Sequence, residues 1–291
     1  LSGSLNAGGF SLKAAEIDLS GPITVDADTV ALVPNPNGRI GLRGYAGPML
    51  SSRAPVRLTL GPGGQPRIVY DRRQDALAAD LRFRGFKTRA TLNPDAASGT
   101  DGGNVDLALG GLGVALSPAG SALTLSDVAA TFLDRQIRIS GGDGRIAFGA
   151  AREQSGRLTI KDIRHLGETP LMRPLSLRLD VMGKGDLLKF EGALIAAGDR
   201  ARLKMTGSHH LKTGVGGARL QLGPVVFAPG VLQPQDFAPQ LYRTLIEAVG
   251  AATAEAAIDW SPAGITREHA RLDLSVDKLR TSEIAVEQLT T

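Results

Sequence analysis

The sequence predicts an all-β fold with one amphipathic helix: a large, twisted, mainly antiparallel sheet curled into a hydrophobic groove or incomplete barrel. Three observations predict it. Apolar/polar alternation recurs along the whole chain, most cleanly in "LSLRLDV", where Leu175, Leu177, Leu179 and Val181 point one way and Ser176, Arg178 and Asp180 the other. That is a strand with one greasy and one wet face. Gly is unusually frequent, at 37 of 291 residues, and falls with Pro between the alternating runs, as turn punctuation does. Aromatic residues make up only 4%, so bulky core anchors are few, while the abundant Leu, Val, Ile and Ala suit a smooth apolar channel.

The elements follow in order. Residues 1–60 give the runs "SLKAAEIDLSG", "ITVDADTVAL", "RIGLRGY" and "VRLTLG". Residues 66–92 give "PRIVYD" and "ADLRFRGFKTRATL", and the small, polar stretch 93–104 reads as a loop. Further runs follow at short intervals to "ARLQLGPVVF", which makes roughly 15–18 strands of about 5–8 residues in an antiparallel meander. "LSPAG" at 116–120 and "WSPAG" at 260–264 each end one strand and open the next, with Pro presetting φ and Gly allowing the exit. One segment breaks the two-residue period. Over residues 236–252, Phe237, Leu241, Leu245 and Val249 recur at steps of four, Pro239 fits a first helical turn and Gly250 a stop. This predicts a helix near 236–250 whose packing face is Phe237, Leu241, Leu245 and Val249. The chain divides into a repetitive β-sheet groove region, 1–224, and a helix plus β-hairpin region, 225–291.

Composition excludes several functions. Cys is absent, so there is no disulfide framework, thiolate metal site or Cys nucleophile. Net charge is +4, from 33 basic and 29 acidic residues that are interspersed and form no basic block. No nucleic-acid footprint results, although a weak attraction to anionic headgroups does. No run of 18 apolar residues spans a membrane, and no signal peptide is visible. The chain begins at Leu1 in strand-like sequence and reads as part of a longer or processed protein.

Site motifs are sparse. "GGLG" at 110–113 lacks the strand-to-helix setting of a dinucleotide loop. "GGDG" at 141–144 lacks spaced calcium ligands and reads as a hairpin turn between "IRIS" and "RIAF". His209 and His210 are adjacent and, on a strand, point to opposite faces, which disfavours a shared metal. His269 alternates with Arg267 and Arg271 on a wet face. Trp260, the only Trp, reads as a core anchor beside its turn. No catalytic residue, metal site or cofactor site emerges, and the chain reads as a non-enzyme.

The C-terminal third carries a Leu/Pro segment, a predicted helix ending in Val249-Gly250, a small-residue strand ending in Ile258-Asp259-Trp260, a turn and a long amphipathic strand. Over about residues 225–280 this order resembles the C-terminal region of YdbH-type proteins, within the AsmA-like group of the Gram-negative envelope. The resemblance implies a bridge-like carrier of phospholipids. It would be anchored in the inner membrane by a segment outside this chain and span the periplasm. A small outer-membrane lipoprotein would be its partner by strand addition at the C-terminal end. Under that reading the groove lining is Leu123, Leu125, Leu158, Ile160, Leu175, Leu177, Leu179, Leu272 and Leu274. Two alternatives stand beside it: a structural or adhesive envelope protein with a closed, dry core, and, further behind, a carbohydrate-active enzyme on a β scaffold.

Overall fold

A computed structural model describes the backbone of residues 3–7, 10–46, 50–52, 55–61, 66–92, 103–149, 153–196, 198–282 and 285–290, and side chains within 17–42, 51–52, 55–61, 66–91, 103–149, 153–196 and 198–282. The strands of the first third are β1 (Gly3–Ala7), β2 (Phe10–Asp18), β3 (Ile23–Val25), β4 (Thr29–Leu32), β5 (Arg39–Ala46), β6 (Leu50–Ser52), β7 (Val56–Thr59), β8 (Arg67–Asp71) and β9 (Ala76–Leu92). The rest are β10 (Asn104–Ser117), β11 (Gly120–Phe132), β12 (Ile137–Gly149), β13 (Glu153–His165), β14 (Leu175–Lys184), β15 (Leu187–Ala196), β16 (Ala201–His210), β17 (Gly216–Phe227), β18 (Leu245–Ser261), β19 (Gly264–Thr281) and β20 (Ala285–Thr290).

All belong to one antiparallel sheet. From β9 to β20 every strand pairs with the next in sequence, as a simple meander. The other edge of β9 is shared out along its length. β8 pairs with its beginning, Leu60 bridges to Phe83 in its middle, and β6 pairs with its end. Two branches continue outward from there, β8–β4–β3 and, through β6 and β7, β5–β2–β1. Among the described residues no pairing joins β20 to β1 or β3, so the sheet is open and not a closed barrel. It also runs unbroken through residues 224 and 225, both inside β17.

Local chemistry explains the turns. Ser117 pairs with Gly120 across Pro118-Ala119, and Ser261 with Gly264 across Pro262-Ala263. In the first the Ser117 hydroxyl donates to the Gly120 carbonyl at 2.8 Å; in the second the Ala263 N–H donates to Ser261 Oγ at 3.2 Å. Both "SPAG" stretches are therefore tight hairpin links, as the sequence reading expects. Several strands run longer than expected: β9 and β18 have 17 residues and β19 has 18. The loop reading of 93–104 lies outside the described residues except for 103–104, where Asn104 opens β10.

Two expectations are corrected. "GGDG" is no turn: residues 141–144 lie inside β12, with Gly141 at φ +64° and Gly142 opposite both Val128 and Ile160. The left-handed glycine absorbs a register shift against β11, so "IRIS" and "RIAF" form one bulged strand. The helix over 236–250 is also absent. Two 3₁₀ turns, Pro234–Asp236 and Pro239–Arg243, stand in its place, and β18 begins at Leu245. A lone helix of about four turns is marginal in water. The strand alternative instead pairs residues 245–261 with β19 and much of that length with β17. Pairing on both sides overrides the helical preference of this Ala-rich stretch.

The assignment of Phe237, Leu241, Leu245 and Val249 to one helix face is corrected with it. Phe237 follows the first 3₁₀ turn and meets Phe227 edge-to-face, with centroids 6.3 Å apart. Leu241 sits in the second turn, while Leu245 and Val249 lie in β18 opposite Thr281 and Lys278. The connection 228–244 is held to β18 by side-chain amides. Gln233 exchanges two hydrogen bonds with the Ala248 backbone, at 2.7 and 2.9 Å, as a neighbouring strand would. The buried Gln235 amide donates to the carbonyls of Leu245 and Ile246.

Packing is uneven. One buried cluster, Leu58, Leu60, Ala79, Leu81 and Phe83, lies where β7 and β9 meet. A second, Ala201, Val225 and Leu232, lies under the 228–244 connection. From 106 to 196 no described aliphatic or aromatic side chain is fully buried.

Candidate functional site

Register decides which side chains share a face, because residues opposite each other across a ladder point the same way. Ile160 lies opposite Leu177, Leu177 opposite Leu194, Leu194 opposite Leu203 and Leu203 opposite Leu222; Ala254 and Leu272 continue the line. This is an aliphatic row across the seven strands β13–β19. A parallel row runs from Phe83 through Leu112, Leu125, Gly144, Leu158 and Leu179. It continues through Gly192, Met205 and Leu220. Leu123 joins the same face through Ile146, Leu175 through Ile163, and Leu274 through Ala252. All nine residues expected to line one surface therefore share one face of one sheet.

That face is half-covered over most of its area. Leu123, Leu125, Leu158, Ile160, Leu175, Leu177 and Leu179 are of intermediate exposure, shielded by their lateral neighbours, and none is fully buried. Toward the last strands it opens: Leu272 is 61% exposed and Leu274 36%. At one end it passes into the closed cluster at β7–β9; at the other the 228–244 connection folds onto it. That connection is tied back across the sheet by Arg173, whose N–H donates to the Phe237 carbonyl at 2.9 Å and whose guanidinium donates to the Tyr242 hydroxyl at 2.9 Å.

Aromatic residues lie flat on this face. Trp260 stacks on Phe190, with centroids 6.4 Å apart and planes 17° from parallel, and on His209 at 6.1 Å. Its indole N–H donates to His209 Nδ1 at 3.1 Å. Gly216 sits directly beneath the indole and Gly207 directly beneath the Phe190 ring, where a Cβ would clash with each ring. Trp260, expected as a core anchor beside its turn, is thus half-buried and anchors a stack of rings on the sheet face instead of a buried cluster. Burial, and secondarily the neighbouring His210, push the His209 imidazole below its ordinary value, which favours the neutral form that accepts the indole proton. His209 and His210 do face opposite ways at the end of β16, and His269 is exposed on the polar face of β19. Among the described residues no cluster of His, Asp and Glu is arranged to hold a metal.

The opposite face is polar, and some of its charges pair across strands or two residues along one. Arg89 bonds Asp106 at 2.7 Å, Arg157 bonds Asp180 at 2.6 Å and Arg164 bonds Asp162 at 2.6 Å. The Arg164 bond is the main cause that holds the Asp162 carboxyl below its usual range. The sequence reading missed two features. The aromatic shelf joins residues from β15, β16 and β18 that are 51 and 70 positions apart at their extremes, and only the ladder register reveals them as neighbours. A patch of cations on the polar face was invisible for the same reason: no two of its strands carry a basic run.

No protein-family model, curated protein or solved structure matches this chain.

Proposed function

We propose that the chain conducts phospholipids between the inner and outer membranes, with the acyl tails lying along the aliphatic face of β11–β19 as in a groove. One observation carries this reading: from β12 to β15 a continuous aliphatic face spans the sheet, and none of its described aliphatic side chains is fully buried. A closed-core structural protein would bury that face, as the Leu58–Phe83 cluster is buried. Each CH₂ withdrawn from water is worth about 0.8 kcal/mol, so a two-tailed lipid strongly prefers such a surface to water. The flat aromatic rings over Gly207 and Gly216 add apolar area without obstructing the path. Sliding along it makes and breaks no bonds, so the proposed activity is not enzymatic and needs no cofactor.

The same reading assigns the partners and the setting. The protein would work in the periplasm, with an inner-membrane anchor outside this chain. β19 offers the docking edge: residues 267–273 pair with β18 on one side and with no described strand on the other. An added strand from a small outer-membrane lipoprotein would extend the sheet there.

Native mass spectrometry of the gently purified protein, with lipid extraction in parallel, tests this. Leu177 is the informative position, because it lies mid-row and is not in either buried cluster. Stoichiometric phospholipid on the wild type, lost in a folded Leu177→Asp variant, is the expected result. A lipid-free wild type, or unfolding of Leu177→Asp as in a closed core, would sink the reading.

A further inference from the structure

The polar face carries a hollow of about 800 Å³ that spans strands β12 to β17. Six cations line it: Arg145, Arg157, Arg178, Arg202, Lys204 and Arg219. Only two carboxylates do, Asp180 and Glu191, and of the six cations only Arg157 is in an ion pair, with Asp180. Some cations elsewhere on the sheet are paired: Arg89, Arg164 and Arg271 each have a carboxylate within 3.0 Å. In the hollow the register offers few such partners. Arg178 faces Thr159 and Ala193, Lys204 faces Ala193 and Gln221, and Arg219 faces Thr206 and Ala257. Arg145 lies directly opposite Arg157, a like-charge pair that destabilises a ladder. Ala193 forms the floor between Arg178 and Lys204, which stand two strand spacings apart, about 10 Å. The small residue leaves the space that gives the hollow its depth.

We propose that this hollow is a binding site for a ligand bearing two phosphate groups. The cation excess of four matches two phosphate monoesters, each carrying roughly −1.5 to −2 at neutral pH. Arg forks supply bidentate donors and Lys204 a point charge. The Thr206 and Ser155 hydroxyls and the Gln221 amide line the same space as neutral donors. Its size lies within the range of small-molecule sites. The site is on the far side of the sheet from the aliphatic face, so it does not depend on the lipid-conduction reading. The same chemistry could be offered by a soluble bisphosphate or by a bisphosphate headgroup on a membrane.

Calorimetric titration with fructose 1,6-bisphosphate and with inorganic phosphate, beside cosedimentation with phosphatidylcholine vesicles containing phosphatidylinositol 4,5-bisphosphate, tests the proposal and tells the two sources apart. The variant is Arg178→Gln with Lys204→Gln, both exposed and in no ion pair, with folding checked by circular dichroism. Arg271→Gln, on the same face outside the hollow and paired to Asp273, is the control. Expected are bisphosphate binding tighter than phosphate binding, an affinity loss of at least about tenfold in the double variant, and little change in the control. Binding to vesicles alone, with the same variant pattern, assigns the headgroup source. Absence of binding in both arms, or an equal loss in Arg271→Gln, overturns the site in favour of diffuse surface charge. If the double variant does not fold, Lys204→Gln alone carries the comparison.

Discussion

Gly216→Ala is the sharpest test of the aromatic shelf. A Cβ at Gly216 would lie 2.6 Å from the Ser208 carbonyl oxygen and 2.6 Å from Trp260 Cε2. The carbonyl belongs to the ladder and cannot move far, so the ring must lift. Overpacking of this kind costs about 1–3 kcal/mol. Lifting the ring also gives up the Trp260–His209 hydrogen bond, about 1 kcal/mol, and the stack on Phe190, about 0.5–1.5 kcal/mol. Reduced freedom of the unfolded chain returns roughly 0.4–1 kcal/mol. The net expectation is a loss of about 1.5–5 kcal/mol, centred near 3. Urea unfolding followed by tryptophan fluorescence measures it, and because Trp260 is the only Trp, the native emission reports this one ring. Gly216→Ala should shift native emission to the red as well as lower the midpoint. Gly185→Ala is the contrast: its φ is +64° but a Cβ there meets nothing within 4 Å, so it should lower stability by about 1 kcal/mol without moving the emission. An unchanged midpoint and an unchanged spectrum in Gly216→Ala would refute the flat, glycine-seated ring.

Two pH predictions follow from local geometry. His209 is held neutral by burial, so its contribution is present above the unfolded value of about 6.5 and is lost as pH falls below it; Trp260 emission and the urea midpoint should both decline from pH 6.5 towards 5, a step absent in His209→Gln, whereas a flat wild-type profile would contradict the assignment. Asp162 is the opposite type of group, a carboxyl depressed chiefly by the Arg164 hydrogen bond, with Ser140 Oγ donating at 3.2 Å as a smaller aid. Its contribution is present above about pH 3.9 and lost as the pH falls through the depressed folded value. Asp162→Asn should cost about 0.5–1 kcal/mol at pH 7, and the difference from wild type should close in acid unfolding curves; a constant difference down to low pH would reject it.

The strand pattern was legible because alternation is a local signal. "LSLRLDV" needs no partner to reveal its two faces, and its ladder to β13 and β15 places Leu177 and Leu179 on the face the alternation assigns. The segment 236–250 misled for a related reason. Apolar residues four apart are also an even number apart, so the same spacing suits a strand face as well as a helix face, although in β18 a register shift after Leu245 puts Leu245 and Val249 opposite residues three apart, Thr281 and Lys278. What separated the alternatives was pairing with β17 and β19, which is not a local property. "GGDG" failed similarly: consecutive glycines punctuate turns, but one left-handed glycine inside a ladder makes a bulge instead. The aliphatic face was legible residue by residue, whereas the shelf at Trp260 and the hollow between Arg178 and Lys204 exist only through register between strands well separated in the chain.

From β11 onward each strand pairs only with its predecessor and its successor among the described strands. Such an architecture behaves as a one-dimensional array, in which stability accumulates link by link. Its length is then a free parameter. Insertion or deletion of one hairpin, two strands together, restores the same strand direction and the same facing, and disturbs only the two junctions it creates. A chain of this kind could be lengthened or shortened to match a distance between two fixed endpoints without redesign of its interior, much as a ladder is cut to height by counting rungs.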